Sequence, residues 1–211
     1  MGVGPDGRRA PFIVFEGGEG GGKSTQAALL AERIGAVLTR EPGGTAIGAQ
    51  LRAILLDAAN TNLSDRAEAL LMAADRAQHA QELIRPNLES GTPVISDRYL
   101  YSSVAYQGHA RGQDPERIRD ISLWAVDGLL PDVVVLIDVD SATANARLQR
   151  DLDRFEQAGD AFHRRVRDGF LAQADAEPER FVVIDGGRPI DEVAEAVWAA
   201  VEPAVLRYVV R

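Results

Sequence analysis

The stretch Gly17-Gly18-Glu19-Gly20-Gly21-Gly22-Lys23-Ser24 reads G-x-x-x-x-G-K-S with every defining position filled. Glycines let the backbone turn tightly enough for successive N–H groups to point inward. A helix beginning there adds the positive end of its dipole, so the pattern makes an anion nest. In a phosphate-binding loop of this kind Lys23 reaches the outer phosphates and the Ser24 hydroxyl joins the ligand shell of magnesium. A flexible glycine-rich turn is the alternative, and the flanks argue against it. Phe12-Ile13-Val14-Phe15 is a run of strand formers, and Gln26 to Ile34 carries apolar residues at helical spacing. Strand, loop and helix therefore follow in the order that phosphate binding needs.

Outward from the loop, apolar runs at 12–15, 36–38, 93–95, 133–137 and 181–184 alternate with helical patterns at 23–34, 46–56, 64–85, 114–128, 141–150, 161–175 and 189–200. The alternation predicts an α/β fold with about five parallel strands covered by helices on both faces. Val133 to Ile137 is apolar at every position, which predicts a strand buried on both faces at the centre of the sheet. Ser64 is a good N-cap for the long third helix, and Pro86 is expected to stop it. No repeat, low-complexity segment or linker divides the 211 residues, so one domain is expected.

A net charge of −9 argues against a general nucleic-acid or anionic-membrane surface, since both partners are negative. Any anion must be met by local arginines and lysines. The chain has no cysteine, which excludes a disulfide framework and thiol chemistry. No signal peptide and no membrane-length apolar run is visible, so a cytoplasmic protein is expected.

Further stretches carry chemistry. Thr39-Arg40-Glu41-Pro42-Gly43-Gly44-Thr45 places two charges at the carboxyl end of the second strand, where open α/β sheets bind ligands, although a plain strand-to-helix loop has the same pattern. Asp97-Arg98-Tyr99 follows the third strand. There Arg98 can grip a phosphate with two parallel bonds and Asp97 can orient magnesium, or the two can form a surface ion pair. Glu68, Met72 and Arg76 share a helix face, as an apolar wall with a polar hook or as a core edge with a solvated arginine. Ser102 to Gly108 supplies hydroxyls, an amide and the Tyr106 ring, suited to reading a base or to ending a helix. Arg147, Arg150, Arg154, Arg164, Arg165 and Arg167 crowd one segment, either on a lid that neutralises a transferred phosphoryl group or on a salt-bridged helix surface. Asp138 ends a strand of Walker B type or caps the helix after it. His79, His109 and His163 have no metal-site spacing.

Taken together, FEGGEGGGKST at 15–25, TREPGGT at 39–45, AADRAQ at 73–78, DRYLYSSVAYQG at 97–108, PDVVVLIDV at 131–139 and DRFE at 153–156 resemble the thymidylate kinases. The resemblance implies a phosphate-loop NTPase fold of the nucleoside monophosphate kinase type, acting as one kinase domain. It also implies a flexible extension at 1–10, a small mobile lid at about 147–160, and a homodimer. It further implies transfer of the terminal phosphoryl of ATP to dTMP with Mg2+. Gly17, Gly18, Glu19, Gly20, Gly21, Gly22, Lys23, Ser24 and Thr25 would hold ATP, with Ser24 and Asp97 on the metal. Arg98 would hold the dTMP phosphate and Glu19 would approach the sugar 3′-hydroxyl. Glu41, Pro42, Met72, Arg76, Ser102, Ser103, Tyr106 and Gln107 would complete the acceptor site. Lys23, Arg98, Arg150 and Arg154 would supply catalytic charge, the last two from the lid as in the bacterial type. Met72 stands where the family often has Phe, and Ser103 where it often has Asn. Residues alone leave open a kinase for another nucleoside or nucleotide, or a regulatory ATPase, although no N-K-x-D guanine-reading motif is present.

Overall fold

A computed structural model describes residues 9–147 and 153–209. Five strands form one parallel sheet: β1 (Phe12–Glu16), β2 (Val37–Arg40), β3 (Val94–Asp97), β4 (Val133–Asp138) and β5 (Phe181–Asp185), in the order β2-β3-β1-β4-β5. The α/β class and strand number follow the alternating pattern. The central strand, however, is β1 rather than β4. The sheet is covered on both faces out to β4, so an all-apolar run marks two-sided burial and not the middle position. β2 runs two residues past the apolar 36–38, because Thr39 and Arg40 pair with Ser96 and Asp97 of β3.

Side chains alternate across β1 and divide the core. Ile13 and Phe15 pack with Ile95, Val135 and Ile137 beneath α1 (Lys23–Ile34) and α9 (Ile190–Val209). Phe12 and Val14 pack on the other face with Leu88, Tyr99, Tyr101 and Phe170. That second face is covered by α3 (Asp65–His79), α4 (Arg85–Glu89), α5 (Leu100–Ser103), α6 (Pro115–Ala125) and α8 (Asp160–Ala176), with α2 (Ala46–Leu56) beside α3. The short α7 (Ser141–Arg147) follows β4.

Two helices depart from the expected pattern. Ser64 caps α3 by accepting from the Ala67 N–H, but Pro86 does not end the helix. The turn widens into a π segment at Ala80–Ile84 and the chain continues as α4, with Pro86 in its first turn. Proline lacks an N–H and crowds the carbonyl four residues back, so a wide turn before it is the local solution. Val104–Ala110 is a second π segment, which makes 102–108 part of a helix rather than a polar helix end. Arg9 and Ala10, expected in the extension, are anchored: Arg9 pairs with Asp132 at 2.9 Å and Ala10 is fully buried. Residues 1–8 of that extension lie outside the described residues, as do 148–152 of the lid, Arg150 among them.

Candidate active site

Parallel strands bring the ends of β1, β2, β3 and β4 to one edge, and each hands a loop to the site. At β1 the chain enters the phosphate loop. A Cβ on Gly17, at φ 135°, would lie 2.3 Å from the Ile137 carbonyl oxygen, so only glycine fits. Lys23 folds back across the loop and donates to the Gly18 carbonyl at 2.6 Å, only 5% exposed. Burial and the nearby Arg98 charge lower its pKa. A cation stored in this way is poised for an anionic ligand.

At β3 the chain makes a left-handed turn, with Arg98 at φ 74°. Its guanidinium is a hub: Nη1 donates to the Gly17 carbonyl and Ser102 Oγ, and Nη2 to Glu19 Oε1 at 2.5 Å and Tyr106 Oη at 3.2 Å. Tyr106 Oη in turn donates to Glu19 at 3.1 Å. Burial would raise the Glu19 carboxyl, but Arg98 and Lys23 outweigh it and lower it to about 2. Glu19 therefore links the phosphate loop to whatever lies beside Arg98.

Beside Arg98 is a cavity of about 200 Å³ lined by Glu19, Lys23, Ser24, Glu41, Pro42, Met72, Arg76, Asp97, Arg98, Ser102, Ser103, Tyr106 and Gln107. It gathers every acceptor-site residue named from the sequence. Arg76 is fixed in its wall, donating to Glu41 at 2.7 Å and to Ser122, Ser103 and the Tyr99 carbonyl. Gln107 Nε2 donates to Glu68 at 2.9 Å, while Gln107 Oε1 is buried without a partner. The Glu41–Pro42 bond is cis.

Ser24 Oγ donates to Asp97 Oδ2 at 2.5 Å, and Thr25 lies exposed on the first turn of α1. One hydroxyl and one carboxylate are oxygen donors suited to Mg2+. Among the described residues no group of three or more His, Cys, Asp or Glu could hold a metal. That donor set fits a magnesium that draws its remaining ligands from water and nucleotide phosphates.

The arginine-rich segment is split. Arg154 donates through Nε to the Leu55 carbonyl and pairs with Glu68 at 2.6 Å, leaving its buried Nη2 without a partner. Arg167 pairs with Asp138, and Arg165 donates to the Ala110 carbonyl, so these two belong to the helix surface. Asp138 is thus an ion-pair partner, while Asp140 caps α7 by accepting from the Thr143 N–H. His79 is buried between Glu41 and Thr39.

Two residues, Arg52 and Glu16, escaped sequence reasoning, and two that it named, Arg147 and Glu68, have partners it did not foresee. Arg147 donates to the Gly20 and Gly186 carbonyls at the loop's outer side. Arg52 lines the cavity and holds the Pro42 carbonyl at 2.8 Å. Glu16 is fully buried and accepts from the Tyr99 and Ser102 N–H groups and Ser102 Oγ. Glu68 was visible on the Met72 face, but its partners Gln107, Arg111 and Arg154 come from distant elements.

A glycine-rich nest that suits phosphates, the Arg98 guanidinium and a compact cavity beside both fit a phosphate-loop kinase with a small phosphorylated acceptor. A family model described as thymidylate kinase matches residues 15–197. The chain is 50% identical over 201 residues to a thymidylate kinase of Leifsonia xyli, covering 92% of this chain and 95% of that one. It is 52% identical over 199 residues to one of Bifidobacterium longum, covering 90% and 95%. A crystal structure of thymidylate kinase from Ehrlichia chaffeensis superposes with a TM-score of 0.76 at 34% identity, covering 92% of this chain and 99% of that chain. The chain belongs to the thymidylate kinase family.

Proposed function

We infer that the chain transfers the terminal phosphoryl group of Mg-ATP to dTMP, giving ADP and dTDP for dTTP synthesis. Family membership carries the reaction, and one observation supports the acceptor: the cavity beside Arg98 gathers Glu41, Pro42, Met72, Arg76, Ser102, Ser103, Tyr106 and Gln107, the residues the resemblance assigns to dTMP.

The chain's own groups divide the work. Backbone N–H groups from Gly17 to Thr25 and the Lys23 ammonium hold the ATP phosphates. Ser24 and Asp97 hold magnesium, which supplies charge neutralisation when bound. Arg98 grips the dTMP phosphate and Glu19 accepts from the sugar 3′-hydroxyl. Tyr106 packs at the deoxyribose, with Ser102, Ser103, Glu41 and Pro42 around it. Met72 and Arg76 border the base. The acceptor is already a phosphate dianion and needs no strong general base, so alignment and charge neutralisation carry the rate. Arg154, whose Nη2 is unpaired, and Arg150 bring further charge from a lid at about 147–160 that also excludes water.

The assembly is read as a homodimer. Exposed Ile47, Ile54, Leu70 and Trp124 lie on α2, α3 and α6, which pack beside one another, and a second copy would cover them. A one-chain mass in sedimentation contradicts this. The cytoplasm is the compartment that supplies ATP and nucleotides; no described helix is long and apolar enough to cross a membrane. The test of function is a coupled assay across dTMP, dUMP, dCMP, AMP, GMP and thymidine. dTMP is expected to give the highest kcat/KM, and the absence of a preference for it would overturn the assignment.

A further inference from the structure

His79 does not line the acceptor cavity, yet it is fully buried and bonded at both ring nitrogens. Nδ1 lies 2.9 Å from Glu41 Oε1, and Nε2 lies 2.7 Å from Thr39 Oγ1. Glu41 gives its other oxygen, Oε2, to Arg76 Nε at 2.7 Å, and Glu41 and Arg76 both line the cavity. A carboxylate paired with a buried guanidinium only accepts hydrogen bonds, so at this contact the ring hydrogen sits on Nδ1. The Thr39 hydroxyl suits Nε2 in either state, since it donates to a bare nitrogen and accepts from a protonated one. The bond from Nδ1 to Glu41 therefore does not depend on the charge of the ring.

The loop that carries Glu41 is shaped around the imidazole. A Cβ on Gly44 would lie 2.5 Å from His79 Nε2, and one on Gly48 would lie 2.4 Å from Asp75 Oδ1. Asp75 Oδ1 also accepts from the Gly43 N–H at 2.9 Å. Glycine at 44 and 48 thus admits two side chains of α3 against the loop and the first turn of α2. We propose that His79 is a positioning residue: from behind the cavity it holds one oxygen of Glu41, so that the other stays on Arg76, and it thereby fixes the wall against which the acceptor binds. The proposal rests on reading the cavity as the dTMP site.

His79→Asn and His79→Gln separate this role from packing, because an Asn amide reaches the place of Nδ1 and a Gln amide the place of Nε2. Asn keeps a donor on Glu41 and gives up Thr39, whereas Gln keeps Thr39 and gives up Glu41. Each variant loses one buried hydrogen bond, so thermal unfolding should show similar losses of stability in the two. Steady-state kinetics should divide them. In His79→Gln the dTMP KM is expected to rise about tenfold or more, with kcat and the ATP KM changed less, because a buried carboxylate oxygen has lost its donor. In His79→Asn the dTMP KM should stay within about threefold of wild type, since that donor is kept. Thr39→Val strips only the Nε2 contact and should lose stability while keeping the dTMP KM. Equal dTMP KM values in the two His79 variants, or a rise in Thr39→Val that matches His79→Gln, would make His79 a packing residue and overturn the proposal. A wild-type protein that does not phosphorylate dTMP overturns instead the functional reading beneath it. Should His79→Gln fail to fold, 15N NMR of the wild-type imidazole decides: a hydrogen on Nδ1 is expected with and without dTMP, and a bare Nδ1 refutes the geometry.

Discussion

Arg98 holds a left-handed backbone that costs a non-glycine residue about 1–2 kcal/mol. The strain is held by the residues around it: Arg98 N–H donates to the Phe15 carbonyl, Ser96 Oγ to the Arg98 carbonyl, and the next N–H, from Tyr99, to Glu16. Glu16 is thus the buried clamp behind Arg98. Burial pushes its carboxyl up to about 7, against the pull of Arg98 and its hydrogen bonds. Between its ordinary value and about 7 the folded protein keeps a proton that the unfolded chain has released. Stability from this group is therefore complete at low pH and is withdrawn as pH rises toward 7, by about 3 kcal/mol in all. Urea unfolding of wild type and Glu16→Gln from pH 5 to 8 reads it directly. The variant should gain on wild type as pH rises, and parallel curves would contradict the shift. Nothing in F-E-G-G-E-G-G-G-K-S distinguishes Glu16 from a strand end, because its partners lie more than eighty residues away.

At the scale of elements, Arg154 of the arginine-rich segment is tied to α2 and α3. Arg154 N–H and Nε reach the Leu56 and Leu55 carbonyls at the negative C-terminal end of α2, and its Nη1 reaches Glu68 on α3. Arg154 and Gln107 therefore share one carboxylate. Arg154→Ala is expected to lower kcat about tenfold or more while raising the dTMP KM less; steady-state kinetics with both substrates varied checks it, and a change confined to KM would contradict a transition-state role. The existence of these helices was legible from periodicity and capping. The π segments at 80–84 and 104–110 were not, because the same residues satisfy an α pattern and only packing decides the extra residue per turn. The arginine cluster was legible as charge. Its division into Arg147 at the phosphate loop, Arg154 at Glu68 and Arg167 at Asp138 was set by tertiary neighbours.

Across the whole molecule, the alternation of apolar runs and helical patterns fixed a parallel sheet and put the binding edge at the strand ends, where the cavity lies. Strand order was not legible, since β1 and β4 are both apolar throughout their core-facing length and only pairing shows which is central. A chain of net charge −9 nevertheless concentrates Lys23, Arg76 and Arg98 around one cavity, which is how an acidic protein handles two phosphorylated substrates at once. The central claim is that the phosphate loop serves both of them, through Lys23 on one side and Glu19 on the other. The most direct measurement is ADP and dTDP formation from Mg-ATP with and without dTMP. The account predicts one dTDP per ADP and ADP release about a hundredfold or more slower without dTMP, because an incomplete site neither aligns nor excludes water. ADP released at the same rate in the absence of dTMP would contradict it and mark the protein as an ATPase.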